Sequence, residues 1–405
     1  MINISSKQTK IVVTGASGFI GRQLIPRLRE TGCKLLLIGR DPASLKCRFT
    51  DIECCSYDAL RERAQGYDLL VHLAVLNNDA DASPEDFERV NVKFLSEILS
   101  QASLANIDKF VNVTTFHALA DGTSAYAQSK RKALDLVKEH DEFEVLNLFL
   151  PAVYGDEFAG KLSVIERLPY FMRGFFLLFL SAMVPTVHID RVVEFIKNGA
   201  KSPDRDHFIA NPQDKNIVFR SGKFFLDLAF VVGILGIFWW LLLIVWILIP
   251  IESTGPGVFA QRRIGKGGKE FTIYKFRTMR NGTRQAGTHE MTADSITRFG
   301  AFLRKIKIDE LLQVFNVLIG NLSLVGPRPS LPVQTQLIQE RKKRGVYAVN
   351  PGITGLAQIN DVDMSDPIKL ARWDAQYIAQ RSLPSEFKIA AKTFLGRGTG
   401  DRVKR

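Results

Sequence analysis

Five short runs in the first 150 residues are almost wholly apolar: 11–14, 34–38, 69–73, 110–114 and 144–149. Unbroken apolar runs of this length predict strands buried on both faces, as in a parallel sheet. Stretches of helical periodicity lie between them, which is the βαβ rhythm of a doubly wound, Rossmann-like α/β fold. Residues 151–210 are less regular. Within them 168–184 is strongly apolar apart from Arg173 and is expected to pack as a substrate-domain helix rather than to face a membrane. A second apolar stretch, 228–251, runs for 24 residues without a formal charge. As a helix it would be about 36 Å long, enough to cross a hydrocarbon core. It is apolar all round, which suits lipid better than a soluble surface. The predicted organisation is a domain at 1–212, a linker at 213–223, a membrane-embedded helix at 224–251 and a small basic α/β domain at 252–405.

Composition sharpens this division. The 405 residues are 46% hydrophobic and 24% charged, which excludes a mainly disordered chain. The net charge is +12, but from residue 216 onward 28 Lys and Arg face 14 Asp and Glu, so that part carries +14 and the first 215 residues −2. The basic part is expected to meet an anionic membrane surface or a phosphorylated substrate; with the apolar segment beside it, nucleic acid is not an expected partner. Cys33, Cys47, Cys54 and Cys55 form no CxxC pair and are expected to be buried free thiols. The basic run 341–344 reads as a solvated face. No secretory signal core opens the chain, so it is expected to start in the cytosol.

The run Thr14-Gly15-Ala16-Ser17-Gly18-Phe19-Ile20-Gly21 follows a predicted strand and opens a helix. Gly15, Gly18 and Gly21 would let the backbone approach a pyrophosphate at the helix N-terminus. Tyr126 and Lys130, at i and i+4, share a helix face, and a nearby ammonium favours the phenolate form useful in acid/base chemistry. Thr115 ends a predicted strand and could hydrogen-bond the reacting oxygen. With His72-Leu73-Ala74, Pro151-Ala152-Val153-Tyr154-Gly155 and Val187-His188-Ile189-Asp190, residues 9–210 resemble the extended short-chain dehydrogenase/reductases, the nucleotide-sugar epimerases, dehydratases and reductases. The resemblance implies Thr115, Tyr126 and Lys130 as the catalytic set, with NAD or NADP held by the glycine turn. Where that family often has an acidic residue ending the second strand, this chain has Gly39-Arg40. Arg40 can hold a 2′-phosphate and leans the reading toward NADPH. The substrate region is short for the family.

In the basic domain, Lys275-Phe276-Arg277-Thr278-Met279 sets two cations at alternate positions, suiting a strand edge near phosphate. Gly326-Pro327-Arg328-Pro329 is a rigid turn presenting one guanidinium. Asp309-Glu310, with Arg304 upstream, is expected to begin an amphipathic helix. Adjacent carboxylates there point about 100° apart and suit different tasks, one attacking phosphorus and the other binding Mg²⁺. Alternatively they are ordinary acidic residues at a helix N-terminus. The ordered set formed by these motifs with Asn316-Val317-Leu318 and Pro351-Gly352-Ile353-Thr354-Gly355 resembles the bacterial sugar transferases, monotopic polyprenyl-phosphate phosphoglycosyl transferases. The resemblance covers residues 221–395. It implies transfer of a sugar 1-phosphate from a UDP-sugar to undecaprenyl phosphate with release of UMP. It implies Asp309 as the covalent nucleophile, Glu310 as the Mg²⁺ partner, and Arg304, Arg328, Lys275 and Arg277 as phosphate-binding residues. This chain departs from the family at Asn350, where an Arg is usual, and at Trp239-Trp240, where many members have Ser-Pro.

Arg220 and Lys223 precede the apolar stretch, and Arg262, Arg263, Lys266 and Lys269 follow it. Positive flanks on both sides leave no clear outside end. Both modules would need cytosolic nucleotides. A re-entrant helix is therefore expected, bent near 233–240, in the bacterial inner membrane with both catalytic domains facing the cytosol. A homodimer is compatible with the sequence.

Overall fold

The strand-length apolar runs form strands because both faces of the sheet are covered. In the computed structural model, which describes residues 8–77, 81–119, 123–283 and 295–396, the chain divides into two units. One is Met1–Leu180 with Pro185–Asn211, and the other is Ser181–Val184 with Pro212–Arg405.

The first unit carries strands β1 (Lys10–Thr14), β2 (Lys34–Ile38), β3 (Glu53–Cys55), β4 (Leu69–His72), β5 (Lys109–Thr115), β6 (Glu144–Leu150), β7 (Ala152–Tyr154), β8 (Thr186–His188) and β9 (Asp206–Phe208). Seven of them form one sheet in the order β3-β2-β1-β4-β5-β6-β9, every pair parallel. β7 and β8 pair separately. Its helices are α1 (Phe19–Glu30), α2 (Pro42–Arg48), α3 (Leu60–Arg63), α4 (Pro84–Glu88), α5 (Phe94–Leu104), α6 (Ala125–Lys138), α7 (Tyr170–Met183, whose end from Ser181 belongs to the second unit) and α8 (Ile189–Lys197). Strand residues alternate between two cores. Ile11, Val13, Leu35, Leu37, Leu69 and Val71 pack with α1 and α8 on one side. Val12, Leu36, Ile38 and Leu70 pack with α3, α5 and α6 on the other. The two-residue period of an extended chain thus supplies both faces of a doubly wound sheet.

Three expectations change here. Helix α7 does not pack as expected: of its residues only Ala182 is buried. The apolar signal is the same for a core helix and for a helix facing lipid, so the sequence could not separate them. Cys47 is exposed rather than buried, while the other three thiols are partly buried. The linker expected at 213–223 is helical from Ile217, because the Asn216 side chain accepts from the backbone N–H groups of Val218 and Phe219 and starts a helix there.

The second unit opens with that helix, α9 (Ile217–Val232). A π-helical turn (Gly233–Ile237) and α10 (Trp239–Glu252) follow. No single described helix is long and apolar enough to cross a membrane. The pair Ile217–Ile237 and Trp239–Glu252 has the composition for it and is bent by 65°. The bend falls at Phe238, whose φ of −108° and ψ of 13° leave the helical region. One face of the pair is core: Val231, Ile234, Leu242, Val245 and Ile249 pack against Phe276, Leu303, Val314 and Val317. The other face exposes Phe224, Phe225, Trp239, Trp240, Leu243, Trp246 and Ile247.

Strands β10 (Val258–Ile264) and β11 (Glu270–Phe276) form an antiparallel hairpin, and β12 (Ser323–Val325) and β13 (Gly352–Thr354) a parallel pair. Around them lie α11 (Arg298–Lys305), α12 (Gln313–Ile319), α13 (Thr335–Lys343), α14 (Pro367–Gln380) and α15 (Leu383–Phe394). Helix α9 is joined to this part through buried polar groups. Lys223 donates to Glu386 and, at 2.8 Å, to the Val325 carbonyl, and Tyr377 donates to the same carboxylate at 2.7 Å. Asp227 accepts from Ser323 Oγ at 3.0 Å and from the Leu324 N–H at 2.8 Å.

Candidate active sites

In the first unit Gly15 and Thr115 lie at the carboxyl ends of β1 and β5, where ligands bind in open α/β sheets, while Tyr126 and Lys130 are on α6. Gly15 ends β1 with φ +72°, and a Cβ there would lie 2.5 Å from Ala74 N and Leu73 C. Only glycine fits a turn that both needs a left-handed backbone and is pressed against the end of β4. Gly18 caps α1 without any side-chain bond, leaving the helix's first N–H groups for an anion. Gly21 packs so close to Ala16 that a Cβ would meet its carbonyl at 2.6 Å. Arg40 follows β2, is exposed, and is close enough to Tyr57 to act on its phenol. Burial raises the Tyr57 phenol, and the Gly15 backbone and the Arg40 charge pull it the other way. Sequence reasoning missed Tyr57, which lies beyond the glycine motif in a three-residue 3₁₀ turn.

Thr115 ends β5, and Tyr126 and Lys130 are buried one turn apart on α6, whose start is capped by Ser124. Burial pushes the Lys130 ammonium down to about 7, so this lysine can exchange a proton near neutral pH. His72, at the end of β4, shares a 2.9 Å hydrogen bond with Thr14 and is held neutral, near 3, by burial and by the Lys130 charge.

In the second unit a small charged centre forms between β11, α11 and the loop after β12. Asp309 and Glu310 lie on a 3₁₀ turn (Ile308–Glu310), not on the amphipathic helix expected there; α12 begins only at Gln313. Lys307 precedes the turn with φ +59°, a left-handed residue that reverses the chain after α11. Buried Asn316 fixes α12 to β11: it accepts from the Tyr274 N–H at 3.1 Å and donates to the Thr272 carbonyl at 2.7 Å. Lys275, next to that anchor, reaches Glu310 Oε1 at 2.6 Å, and Arg328 reaches the same oxygen at 3.1 Å.

The two adjacent carboxylates are thereby made unequal. Burial raises both, but for Glu310 it is outweighed by Lys275 and Arg328, which hold it well below the usual carboxylate range. Asp309 is pushed up to about 6 by burial and by the Glu310 charge, against the opposing pull of Lys275, Arg304 and Arg328. Neighbouring carboxyls driven apart in this way divide their roles: one fixed as a charge, the other poised close to neutrality. Burial lowers the Lys275 ammonium, and Glu310 opposes that effect.

Arg304 donates through Nε to Thr278 Oγ1 at 2.8 Å, beside Asp309. Arg277, expected to bind phosphate, is used otherwise. Its guanidinium donates to the carbonyls of Ser253 and Thr254, and so fixes the chain where it leaves α10. The strand ends at Phe276, so the alternation that places Lys275 at the centre does not carry on to Arg277.

Two buried arginines clamp the loop that presents Arg328. Arg341 donates to the Arg328 carbonyl at 2.8 Å, and Arg263 to the Pro329 carbonyl at 3.0 Å. Arg341 is 1% exposed and paired with buried Asp374 at 2.7 Å, so only Lys342 and Lys343 of the run 341–344 form the solvated face expected. Helix α13 turns Arg341 and Arg344 inward, and Arg344 pairs with Glu340. Gly326 and Gly352 pass so closely that a Cβ on Gly352 would lie 2.1 Å from Gly326 N. Asn350 donates to the Gly320 carbonyl at 3.2 Å. No group of three or more His, Cys, Asp or Glu side chains suited to a metal ion occurs among the described residues.

Comparison with known proteins finds a family match in each unit. Residues 218–397 match the family described as bacterial sugar transferase, and residues 11–175 the NAD dependent epimerase/dehydratase family. The chain belongs to the bacterial sugar transferases and carries an epimerase/dehydratase-family domain ahead of the transferase module. The uncharacterized sugar transferase EpsL of Bacillus subtilis (strain 168) is 40% identical over 145 residues, covering 36% of this chain and 71% of that protein. The UDP-glucose:undecaprenyl-phosphate glucose-1-phosphate transferase of Xanthomonas campestris pv. campestris is 40% identical over 177 residues, covering 40% of this chain and 36% of that one. The UDP-N-acetylgalactosamine-undecaprenyl-phosphate N-acetylgalactosaminephosphotransferase of Aeromonas hydrophila is 34% identical over 223 residues, 52% of each chain. The chain thus spans between a third and about half of the length of these two relatives.

Proposed function

We propose that this chain transfers a sugar 1-phosphate from a UDP-sugar to undecaprenyl phosphate and releases UMP. The observation that carries the reading is the unequal carboxylate pair, with Asp309 poised near neutrality and Glu310 fixed as an anion. In this reading the ionised Asp309 attacks the β-phosphorus of the UDP-sugar. The bond from that phosphorus to the bridging oxygen breaks, and UMP leaves with the electron pair. An oxygen of undecaprenyl phosphate then attacks the same phosphorus, and Asp309 departs as a carboxylate. Arg304, Arg328 and Lys275 offset the charge of the diphosphate; preorganised cations stabilise such a transition state more than a mobile solvent does.

Lys275 and Arg328 both address Glu310 Oε1, and Glu310 is the residue that would hold Mg²⁺. Mg²⁺ usually binds through one or two carboxylates plus substrate phosphates. When bound it supplies further charge neutralisation. Asp309→Asn tests the assignment: UMP release in nanodiscs should vanish, and near-normal release would refute the nucleophile.

The exposed face of the bent pair α9–α10 supports insertion from the cytosolic side of the bacterial inner membrane, with both ends on that side. The first unit would hold NAD or NADP on the Gly15 turn, where the cofactor supplies or accepts a hydride. Tyr126 would accept or donate the sugar hydroxyl proton, with Lys130 one turn along α6 and Thr115 as the third member of the set, so that a nucleotide sugar is epimerised or reduced before transfer. One observation favours a second reading, a domain that only senses a nucleotide sugar or dinucleotide: after β6 the first unit builds only short elements and the exposed α7. Tyr126→Phe separates the two. Unchanged glycan output with intact transferase activity would support the sensor.

A further inference from the structure

Helix α7 was expected to pack as a substrate-domain helix, yet one face of it is open. Tyr170 is 87% exposed, Phe171 83% and Phe175 66%, and Leu178 and Phe179 are also exposed. A face of five large apolar side chains on one 14-residue helix needs a cover. At about 21 Å the helix is too short to span a bilayer.

Two features identify the cover as lipid. First, the single charge in the helix is turned out of it. Arg173 folds back, donating through Nε to the Leu168 carbonyl and through Nη2 to the Glu166 carbonyl, both at 3.0 Å. From Gly174 to Val184 the chain then carries no charge, while Arg167 and Arg173 sit at its start, a basic edge suited to anionic headgroups. Second, the last turn is bound to the foot of the apolar pair. Ser181 accepts through its carbonyl from Gln213 at 2.7 Å and through Oγ from Asn216 at 2.9 Å. Asn216 is the residue that caps α9, so α7 ends where the proposed membrane insertion begins.

We infer that α7 is a second membrane-contact element, an interfacial helix whose aromatic face rests in the headgroup and upper acyl region of an anionic bilayer. This rests on the membrane reading of α9–α10, and the test separates the two.

The full chain is placed in nanodiscs containing phosphatidylglycerol, with an environment-sensitive dansyl amino acid incorporated at Phe175 or, in a parallel sample, at Leu243 on the exposed face of α10. Acyl-brominated lipid and aqueous iodide are then used as quenchers. For position 175 the expected result is a blue-shifted emission that loses most of its intensity to brominated lipid and little to iodide. Quenching by iodide alone would overturn the inference. Protection from both quenchers would also overturn it, since a second copy of the chain or another protein would then be the cover. Quenching by brominated lipid at 243 but not at 175 sinks the α7 inference alone; failure at both positions sinks the membrane reading with it. Phe171→Glu combined with Leu178→Glu provides the reverse arm. The probe at 175 should become open to iodide while the probe at 243 stays in lipid. Unchanged protection at 175 would count against a lipid-held α7.

Discussion

Replacing Asp309 by Asn should make the second unit more stable while abolishing its chemistry. The Asp309 carboxyl moves from an ordinary 3.8 to about 6 in the folded chain. Its ionised form is therefore disfavoured by folding. At about 1.4 kcal/mol per pH unit, the cost reaches up to about 3 kcal/mol once the group is fully ionised. The sign follows from proton binding. Between pH 3.8 and about 6 the folded state binds more protons than the unfolded state at this position. Stability is thus lost as pH rises through that window, and the full cost is present above it. Asparagine carries no such cost. The variant should match the parent near pH 4 and exceed it by a growing margin up to pH 7. For a domain of 150–250 residues a gain of 1 kcal/mol is worth roughly 2–4 °C in melting temperature. The assay is thermal unfolding of both proteins in nanodiscs across pH 4–8, paired with UMP release. A stability difference that does not change with pH, or a variant less stable at pH 7, would refute the electrostatic account. The same carboxyl should give the parent's UMP release an acid limb centred near pH 6, with activity falling as Asp309 becomes protonated.

Arg341→Met should cost about 3–5 kcal/mol in denaturant unfolding, because it leaves buried Asp374 without its cation. Arg341→Met with Asp374→Leu should recover much of that stability, yet release UMP more slowly than the parent, because the Arg328 carbonyl loses its donor. Gly352→Ala should prevent normal assembly of the β12–β13 pair and lower the melting temperature sharply. Gly268→Ala, which has φ +74° but open space around it, should cost only about 1 kcal/mol. Cysteines introduced at Lys215 and Arg262 should both react with reagent applied from the cytosolic side only; opposite accessibility of the two would contradict a re-entrant pair. Gly15→Ala should abolish NAD binding by calorimetry and leave UMP release intact, since its Cβ would strike the end of β4.

What the sequence revealed depended on how far each signal reached along the chain. Strands β1, β2, β4, β5 and β6 were legible because burial on both faces makes them continuous apolar runs. β3 and β9 were not, being three residues long and carrying Glu53, Asp206 and His207. The candidate carboxylates were legible as an ordered motif, but not their inequality. That inequality is imposed by Lys275, 35 positions away, and Arg328, 18 positions away. Arg341 looked like one cation in a run of four because its partner Asp374 lies 33 residues further on. Arg277 was misplaced because the period of a strand was extended past the point where the strand stops. For α7, the residues alone could not say which apolar environment covers them.

Helix α9 is tied rigidly to the part of the second unit that carries Arg328. Lys223 holds the Val325 carbonyl, and Asp227 holds Ser323 and Leu324, just ahead of the turn that carries Arg328. A chain shortened to remove this helix would leave Glu386, itself fully buried, without its cation. On the membrane reading, the same rigid link works as a gauge. It sets the elevation of Arg328 and Asp309 above the lipid, and so the distance a phosphate must rise from the headgroup layer to meet them. Lengthening α9 by one turn beyond Asp227 would change that elevation without altering any residue of the charged centre.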